Sequence, residues 1–309
     1  MNQVATTTLE PICESCGGQE WRSIKGTSGG NYIYCRHCRH HIRYVETESH
    51  RATHFEEEQQ KYYGDDSFCA TQLFAELQEQ RVVRRIEVVQ RYLPQGHLLE
   101  VGPGSGEVLS RFARLGYKVT GVEHSATMSE LIRERHGLDI RVGTFEENAF
   151  DPDSSDAYLS FHVIEHVTDV SAHLAKAADV VRSGGYAFIA TPNADSWEHR
   201  VSGALSPNYS PVHLQLFSKS SMTRLLDQAG FEVVNVITPC YTDAWMRVAS
   251  SFVRGRRGRP KTAGKMVQQS DTPLRRNLIH ALGILQLPVT TVQEAMRGGN
   301  ELFVVAKRR

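Results

Sequence analysis

Apolar residues along the chain fall into short runs broken by glycine and polar clusters, and the spacing inside each run says which element it builds. The run HLLEV at 97–101 ends at a glycine cluster and predicts a strand. Val108, Leu109, Phe112 and Leu115 then recur at helical spacing until Gly116, a residue suited to stopping a helix. The alternation continues with a strand over 118–122, and a helix capped by Ser125 with Met128, Leu131 and Ile132 on one face. Strands over 139–142 and 157–161 follow. Val170, Leu174, Ala177 and Val181 make the stripe of the next helix, closed by Gly184-Gly185, before a strand over 186–190. Ser218 opens a helix with Met222, Leu225, Leu226 and Ala229 inward, closed by Gly230, and strands over 231–237 and 301–306 come last. Strict alternation of this kind predicts a parallel sheet covered by helices on both faces. Ligands of such sheets sit at the carboxyl ends of the strands, at a topological switch point.

Outside that alternation the chain changes character. Residues 11–45 hold two cysteine pairs, with Gly17-Gly18 and Gly29-Gly30 as turn signals. Residues 46–66 are polar and partly acidic, as a linker would be. Residues 251–298 open with the basic stretch Arg254-Gly-Arg-Arg-Gly-Arg-Pro-Lys261, which reads as a solvated loop, and continue into the apolar run at 278–287. The expected organisation is a zinc ribbon over 1–45, a linker over 46–66 and one large domain over 67–309. In that domain, 251–298 is an insert or lid before the last strand.

The 309 residues suffice for one sizeable core and a small accessory unit. A 40% hydrophobic and 23% charged composition fits a globular chain rather than a disordered one. Lys+Arg and Asp+Glu are equal at 35 each, so the overall charge points to neither nucleic acid nor anionic lipid. No apolar run reaches bilayer length, and the opening MNQVATTTLEP lacks a basic and then apolar leader. A cytoplasmic location is the expectation.

Four of the six cysteines are clustered: Cys13-x2-Cys16, then 18 residues, then Cys35-x2-Cys38. Two residues between the members of each pair let both sulfurs reach one ion, and four thiolates make a closed, structural zinc site. A ribbon this small cannot build a core, so metal binding would supply its folding energy. Cys69 and Cys240 stand alone and are expected to be buried thiols.

The strongest single signal is LLEVGPGSGEVL at 98–109. Gly102, Gly104 and Gly106 lie between a strand and a helix, where absent Cβ atoms let a ligand approach the main chain and helix-start amides face it. The spacing is G-x-G-x-G; position 107 is Glu, which departs from the dinucleotide fingerprint. About twenty residues on, Glu123 ends the second strand, where a carboxylate can accept hydrogen bonds from ribose hydroxyls.

Together with DAYLSFHVIEHV (156–167), GGYAFIATPN (184–193), HLQLFS (213–218) and LLDQAGF (225–231), these motifs resemble the class I S-adenosylmethionine-dependent methyltransferases. The likeness covers about residues 67–240 and the final strand, and leans toward the branch of ubiquinone-biosynthesis O-methyltransferases and small-molecule tailoring enzymes. The resemblance implies an α/β, Rossmann-like fold: a doubly wound, mostly parallel seven-stranded sheet carrying the ribbon at its N-terminus. It implies S-adenosyl-L-methionine as cofactor, with Gly102, Pro103, Gly104, Ser105 and Gly106 around the methionine part and Glu100 near its amino group. Glu123, with His124 beside it, would take the ribose, Thr144 and Phe145 would lie along the adenine, and Phe161 and His162 would line the reaction centre. Thr144 stands where the family often has an acid, which passes the adenine amino contact to Glu146 or to backbone. Tyr62 and Tyr63 precede the first helix and would close over the cofactor.

Methyl transfer from a sulfonium asks an enzyme to align the acceptor lone pair and to exclude water. A hydroxyl acceptor gains from a general base, and histidine suits neutral pH. His162, His166 and His213 are the candidates; His162 and His166, four apart, would share one face of a helical turn. The three also resemble a metal-ligand set, although no carboxylate partner is evident. The Asn/Asp-Pro-Pro-aromatic run of amino-methylating nucleic-acid enzymes is missing; that position reads Ser-Phe-His-Val. The leading expectation is O-methylation of a small molecule such as a sugar, isoprenoid or tailored metabolite. The ribbon and the basic stretch keep open an RNA methyltransferase, and a non-catalytic cofactor-binding or zinc scaffold is the third reading.

Overall fold

The computed structural model describes residues 11–25, 31–44, 72–210, 212–241, 243–255 and 273–309. The linker at 46–66, with Tyr62 and Tyr63, Cys69 and residues 256–261 of the basic stretch lie outside them.

The ribbon contributes β1 (Trp21–Lys25), β2 (Asn31–Cys35) and β3 (His41–Tyr44). After α1 (Gln72–Tyr92) come β4 (His97–Val101), α2 (Glu107–Arg114), β5 (Lys118–Glu123), α3 (Ala126–His136) and β6 (Ile140–Val142). The second half begins with β7 (Ser155–Phe161), a 3-10 turn at Ile164–His166, α4 (Val170–Val180) and β8 (Val181–Pro192). It continues with α5 (Trp197–Ser202), β9 (Gln215–Leu216), α6 (Lys219–Gln228) and β10 (Phe231–Ile237). The last elements are α7 (Ala244–Gly255), α8 (Pro273–Ala295) and β11 (Glu301–Arg308).

Seven strands form one sheet in the order β10-β11-β8-β7-β4-β5-β6. The order reverses between β4 and β7, so their carboxyl ends open the crevice that this topology reserves for a ligand. Strand residues alternate between two buried layers. Leu99, Tyr158, Ile189 and Val304 pack under α4 and α6, while Leu98, Leu159, Phe188 and Phe303 pack under α1 and α2. Two-sided burial explains the near-continuous apolar runs.

The doubly wound, mostly parallel architecture is the one expected, with two corrections. The last strand is antiparallel to both neighbours, β8 and β10, so the alternation is not strict. The helix before β8 ends at Val180 rather than at Gly184-Gly185, because Val181 already has extended backbone and pairs with Ser155. Gly185 instead relieves a close approach inside the strand: a Cβ there would stand 2.6 Å from the Asp156 carbonyl oxygen. The apolar run at 278–287 lies within α8, where Ile284, Leu285 and Leu287 are 66%, 74% and 56% exposed. Among the described residues, no helix is long and apolar enough to cross a membrane.

The ribbon does not stand apart. β3 pairs antiparallel with the two-residue β9, so β1-β2-β3-β9 is a second sheet that includes a strand of the large domain.

Candidate active site

The glycine loop leaves β4 at Val101 and enters α2 through three left-handed residues, Gly102, Gly104 and Gly106, with φ of 65°, 57° and 74°. The Gly102 amide donates to the Val122 carbonyl, and His136 Nε2 donates to the Ser105 carbonyl at 3.1 Å, which pins the loop between β5 and α3. Pro103 is buried, within 3.4 Å of where a Cβ on Gly121 would stand. The three glycines differ in what they face. A Cβ on Gly102 would meet Val163 at 2.5 Å and one on Gly106 would meet Ile132 at 2.7 Å, whereas one on Gly104 would meet nothing within 4 Å. Gly104 therefore borders open space, as a ligand cradle requires.

Two carboxylates flank this cradle. Glu123 ends β5 and accepts hydrogen bonds from the amides of Gly104 at 3.2 Å and Ser125 at 3.0 Å. Burial raises its pKa while those amides oppose the rise. Glu100 is 2% exposed, and its Oε2 has no hydrogen-bond partner. Burial pushes its pKa up to about 8, against the pull of Arg85 and with the push of Glu123. An orphaned, buried carboxyl oxygen beside an open glycine backbone fits the cationic amino end of S-adenosylmethionine, so the residues present suit that cofactor.

The other expected cofactor residues divide. His124 is exposed at the end of β5. Thr144 is half-buried and shapes the turn after β6, its hydroxyl accepting from the Glu147 amide at 3.2 Å. Phe145 is in the core instead, 2% exposed and packed against Phe150, Tyr158 and His173. Glu146 is hydrogen-bonded to the ring of His173. Phe161 is buried, edge-on to Phe303, with the Arg85 guanidinium 4.6 Å above its ring.

His162 follows β7 with a left-handed φ of 59°, and its amide donates to the Ala190 carbonyl. That backbone turn removes it from any helical face shared with His166, which sits in the 3-10 turn. His162 lies between two buried carboxylates, Nδ1 3.2 Å from Glu165 and Nε2 2.7 Å from Glu301. Burial opposes its charge, but the two hydrogen bonds outweigh burial and its pKa is raised. Burial likewise works against the two carboxylates, yet His162 holds both at about 2. Carboxylates at both ring nitrogens favour the imidazolium form, and 37% of the side chain is exposed. Around it, the Tyr241 hydroxyl donates to Glu301 at 3.0 Å, Thr191 donates to Glu165 at 3.0 Å, and Arg85 lies 3.7 Å from Glu301. Arg81, under Tyr241, pairs with Asp243 at 2.7 Å.

His166 pairs with His213 instead. Their rings meet edge to face at 5.1 Å. Each Nδ1 faces a carbonyl, Val212 at 2.7 Å for His166 and Asn208 at 2.8 Å for His213, so each ring carries its proton on Nδ1 and leaves Nε2 as the basic nitrogen. Burial first, and His166 next, push the pKa of His213 down to about 3. A carboxylate does join them: Glu165, His166 and His213 each offer a ligand-type atom within 4.8 Å of the others.

Sequence reasoning did not reach Arg81, Arg85, Glu165, Tyr241 or Glu301. A signal existed for two of them, since Arg81 and Arg85 stand four apart among the apolar residues of α1. A cavity of about 240 Å³ beyond β8, reaching Asn193, Trp197, Lys219 and Arg297, touches none of the glycine-loop residues.

In the ribbon, the four cysteine sulfurs all lie within 4.8 Å of one another, with Cys13–Cys38 and Cys16–Cys35 at 3.5 Å. Metal–sulfur bonds of about 2.3 Å in a tetrahedron put sulfurs about 3.8 Å apart, so the donor set fits zinc. The Cys38 thiol is pushed down to about 4, chiefly by the hydrogen bond from Cys13, whose own thiol is raised. Cys240 is half-buried rather than buried, 3.4 Å from Glu198.

The family described as Methyltransferase domain matches residues 74–236. The ubiquinone biosynthesis O-methyltransferase of Xanthomonas campestris is 29% identical over 164 residues, 51% of this chain and 63% of that protein. The protein of the same name from Paramagnetospirillum magneticum is 39% identical over 115 residues, 35% of this chain and 45% of that protein. The chain thus matches less than two thirds of the length of these relatives. The crystal structure of a SAM-dependent methyltransferase from Archaeoglobus fulgidus superimposes with a TM-score of 0.50 at 13% identity, over 82% of this chain and 99% of that one.

Proposed function

The chain belongs to the methyltransferase-domain family, and on that premise we propose that it transfers a methyl group from S-adenosylmethionine to a hydroxyl of a small-molecule acceptor. The cofactor supplies an electrophilic methyl on a sulfonium. Glu100 holds its amino end, the backbone at Gly102, Gly104 and Gly106 borders the methionine part, and Glu123 takes the ribose hydroxyls. The observation that carries the hydroxyl reading is the His166–His213 pair, whose Nδ1 protons are both committed to carbonyls. Nε2 of His166 is the atom that would take the acceptor's proton, with His213, whose pKa burial holds at about 3, packed against it. His162, protonated between Glu165 and Glu301, is a fixed cation beside the pair rather than the base. The names of the ubiquinone-biosynthesis relatives favour oxygen as the methylated atom.

The test has two stages. Calorimetry with S-adenosylhomocysteine should give saturable binding in the wild type. Methyl transfer from labelled cofactor to a panel of phenols, catechols and sugars should then depend on His166 and His213. Binding without transfer to any oxygen, but with transfer to amines, would overturn the hydroxyl reading.

Zinc in the four-cysteine site is part of the same proposal, with the ribbon over 1–45 and the catalytic domain over 67–309 as the two units. Metal analysis should return one zinc per chain and none after Cys35→Ser with Cys38→Ser. Clustered reduced thiols suit the cytoplasm.

A further inference from the structure

The ribbon reaches both candidate histidines through hydrogen bonds to the segments that carry them. The Tyr32 hydroxyl lies 2.7 Å from the carbonyl oxygens of both Ser210 and His213 and shares its hydrogen between them. The Arg43 amide donates to the Leu214 carbonyl at 2.8 Å, and β3 pairs with β9 in the register His41 with Leu216 and Ile42 with Gln215. The loop before β9 is thus held both by ribbon backbone and by a ribbon hydroxyl. Its own Asn208 carbonyl accepts from His213 Nδ1, so fixing the loop backbone fixes the ring.

A second line runs to His166. Ribbon His40 is hydrogen-bonded through Nε2 to Gln215 Oε1 at 2.7 Å. The amide nitrogen of Gln215 donates to the carbonyls of Val167 and Thr168, the two residues after His166. The Leu214 amide meanwhile donates to the Glu165 carbonyl at 2.8 Å. The metal knot is anchored as well: Ser218, which caps α6, donates to the Cys38 carbonyl, and Ser15 donates to the Ser221 carbonyl at 3.1 Å. None of these contacts involves the glycine loop, Glu100 or Glu123.

We propose that Tyr32 and Gln215 are positioning residues through which the four-cysteine ribbon sets the spacing of His166 and His213, so that the metal site shapes the acceptor half of the active site while leaving the cofactor half alone. This rests on the reading of the two histidines as the base pair. The ribbon is then neither a nucleic-acid grip nor a passive cap, but part of the catalytic geometry. A merely structural ribbon would add stability without fixing the distance between two rings in the large domain.

The test uses the full chain and nuclear magnetic resonance of the histidine rings. In the wild type, the His166 and His213 rings should show a mutual Overhauser contact, and His213 should show a slowly exchanging Nδ1 proton. Tyr32→Phe, which removes one oxygen, should abolish the contact and speed exchange of that proton at least tenfold. S-Adenosylhomocysteine affinity by calorimetry should stay within twofold. Gln215→Ala gives the same readout from the His166 side if Tyr32→Phe fails to fold. Chelation of the metal should abolish the contact, and added zinc should restore it. Retention of the contact in both variants and after chelation would overturn the proposal. So would loss of cofactor affinity along with it, because the ribbon would then be holding the whole fold. Loss of the contact as expected, combined with full methyl transfer by His213→Gln, would instead refute the base-pair reading and leave the positioning result standing.

Discussion

His162 Nε2 lies 2.7 Å from Glu301 Oε2 across 139 residues of sequence. β7 delivers the histidine and β11 delivers the glutamate, with β8 between them in the sheet. Glu165 takes the other ring nitrogen, so the charge on His162 is held from two sides. The folded pKa of His162 is raised, so its contribution to stability is full below about 6.5 and is lost as pH rises through the folded value. The two glutamates work the other way. Their values of about 2 give stability that is present above the ordinary carboxylate range and is lost as pH falls toward 2. Glu301→Gln removes the partner of His162 and the acid nearest Arg85. Breaking a buried ionic cluster in this way costs roughly 3 to 5 kcal/mol. Urea unfolding at pH 7 should register that loss, and the His162 titration followed by magnetic resonance should move to lower pH. An unchanged titration would mean that the Glu301 contact does not hold the charge.

Gly104 and Gly102 should separate binding from folding. At both, a side chain must adopt a left-handed backbone, at about 1 to 2 kcal/mol. At Gly102 the added carbon also collides with Val163 inside the protein, while at Gly104 it enters open space. Gly104→Val should therefore lose only that backbone cost, about 1 to 2 kcal/mol, in urea, yet lose about 100-fold in cofactor affinity, close to 3 kcal/mol. Gly102→Val should lose more stability than Gly104→Val. Equal cofactor affinity in wild type and Gly104→Val would remove the cradle from the glycine loop.

Glu100 makes a prediction about protons. With its pKa at about 8, the carboxyl is mostly neutral at pH 7 in the free protein. A cationic amino group beside it favours the ionised form, so binding at pH 7 should expel a proton. Calorimetry of S-adenosylhomocysteine binding in buffers of different ionisation enthalpy should detect close to one proton released. Glu100→Gln should release none and bind more weakly. Uptake of a proton would contradict this assignment.

What could be read in advance follows from distance along the chain. Gly102, Gly104 and Gly106, the caps Ser125 and Ser218, and the Cys13/Cys16 and Cys35/Cys38 pairs are local patterns, and each has its expected structural setting. The place of Glu123 at the end of its strand was legible because a strand end is a register position. The Gly184-Gly185 pair misled because glycine serves equally as a helix stop and as relief for a crowded strand, here against Asp156. Phe145 carried no local mark to distinguish an adenine-facing ring from a core ring packed on Tyr158. The cluster around His162 was out of reach for another reason. Its left-handed backbone and its partner in the last strand are tertiary facts, and no periodicity encodes them. The β3–β9 pairing is hidden likewise, since two residues of strand are too few to show an alternation.

Acid should loosen the ribbon from the large domain through His199. Its ring meets His41 of β3 edge to face at 5.4 Å and Tyr209 at 5.0 Å, and its Nδ1 is bonded to the Ser206 hydroxyl at 2.7 Å. Burial pushes its pKa down to about 4, with Arg39 adding to the fall and Asp195 opposing it. The unfolded chain binds a proton at this residue near pH 6.5, and the folded chain does so only near pH 4. Stability from His199 is therefore complete above about 6.5 and is lost as pH falls toward 4, at roughly 1.4 kcal/mol for each pH unit in that window. Over the full interval the loss approaches roughly 3 kcal/mol, a large part of a marginal stability. His199→Gln keeps a polar side chain in the pocket but cannot take up the proton. Urea unfolding free energies measured from pH 7 down to pH 4 should fall less steeply in this variant than in the wild type, by about one proton. Parallel slopes in the two proteins would mean that the ring already titrates normally in the folded chain, and the buried contact with His41 would have to open far more readily than its packing implies.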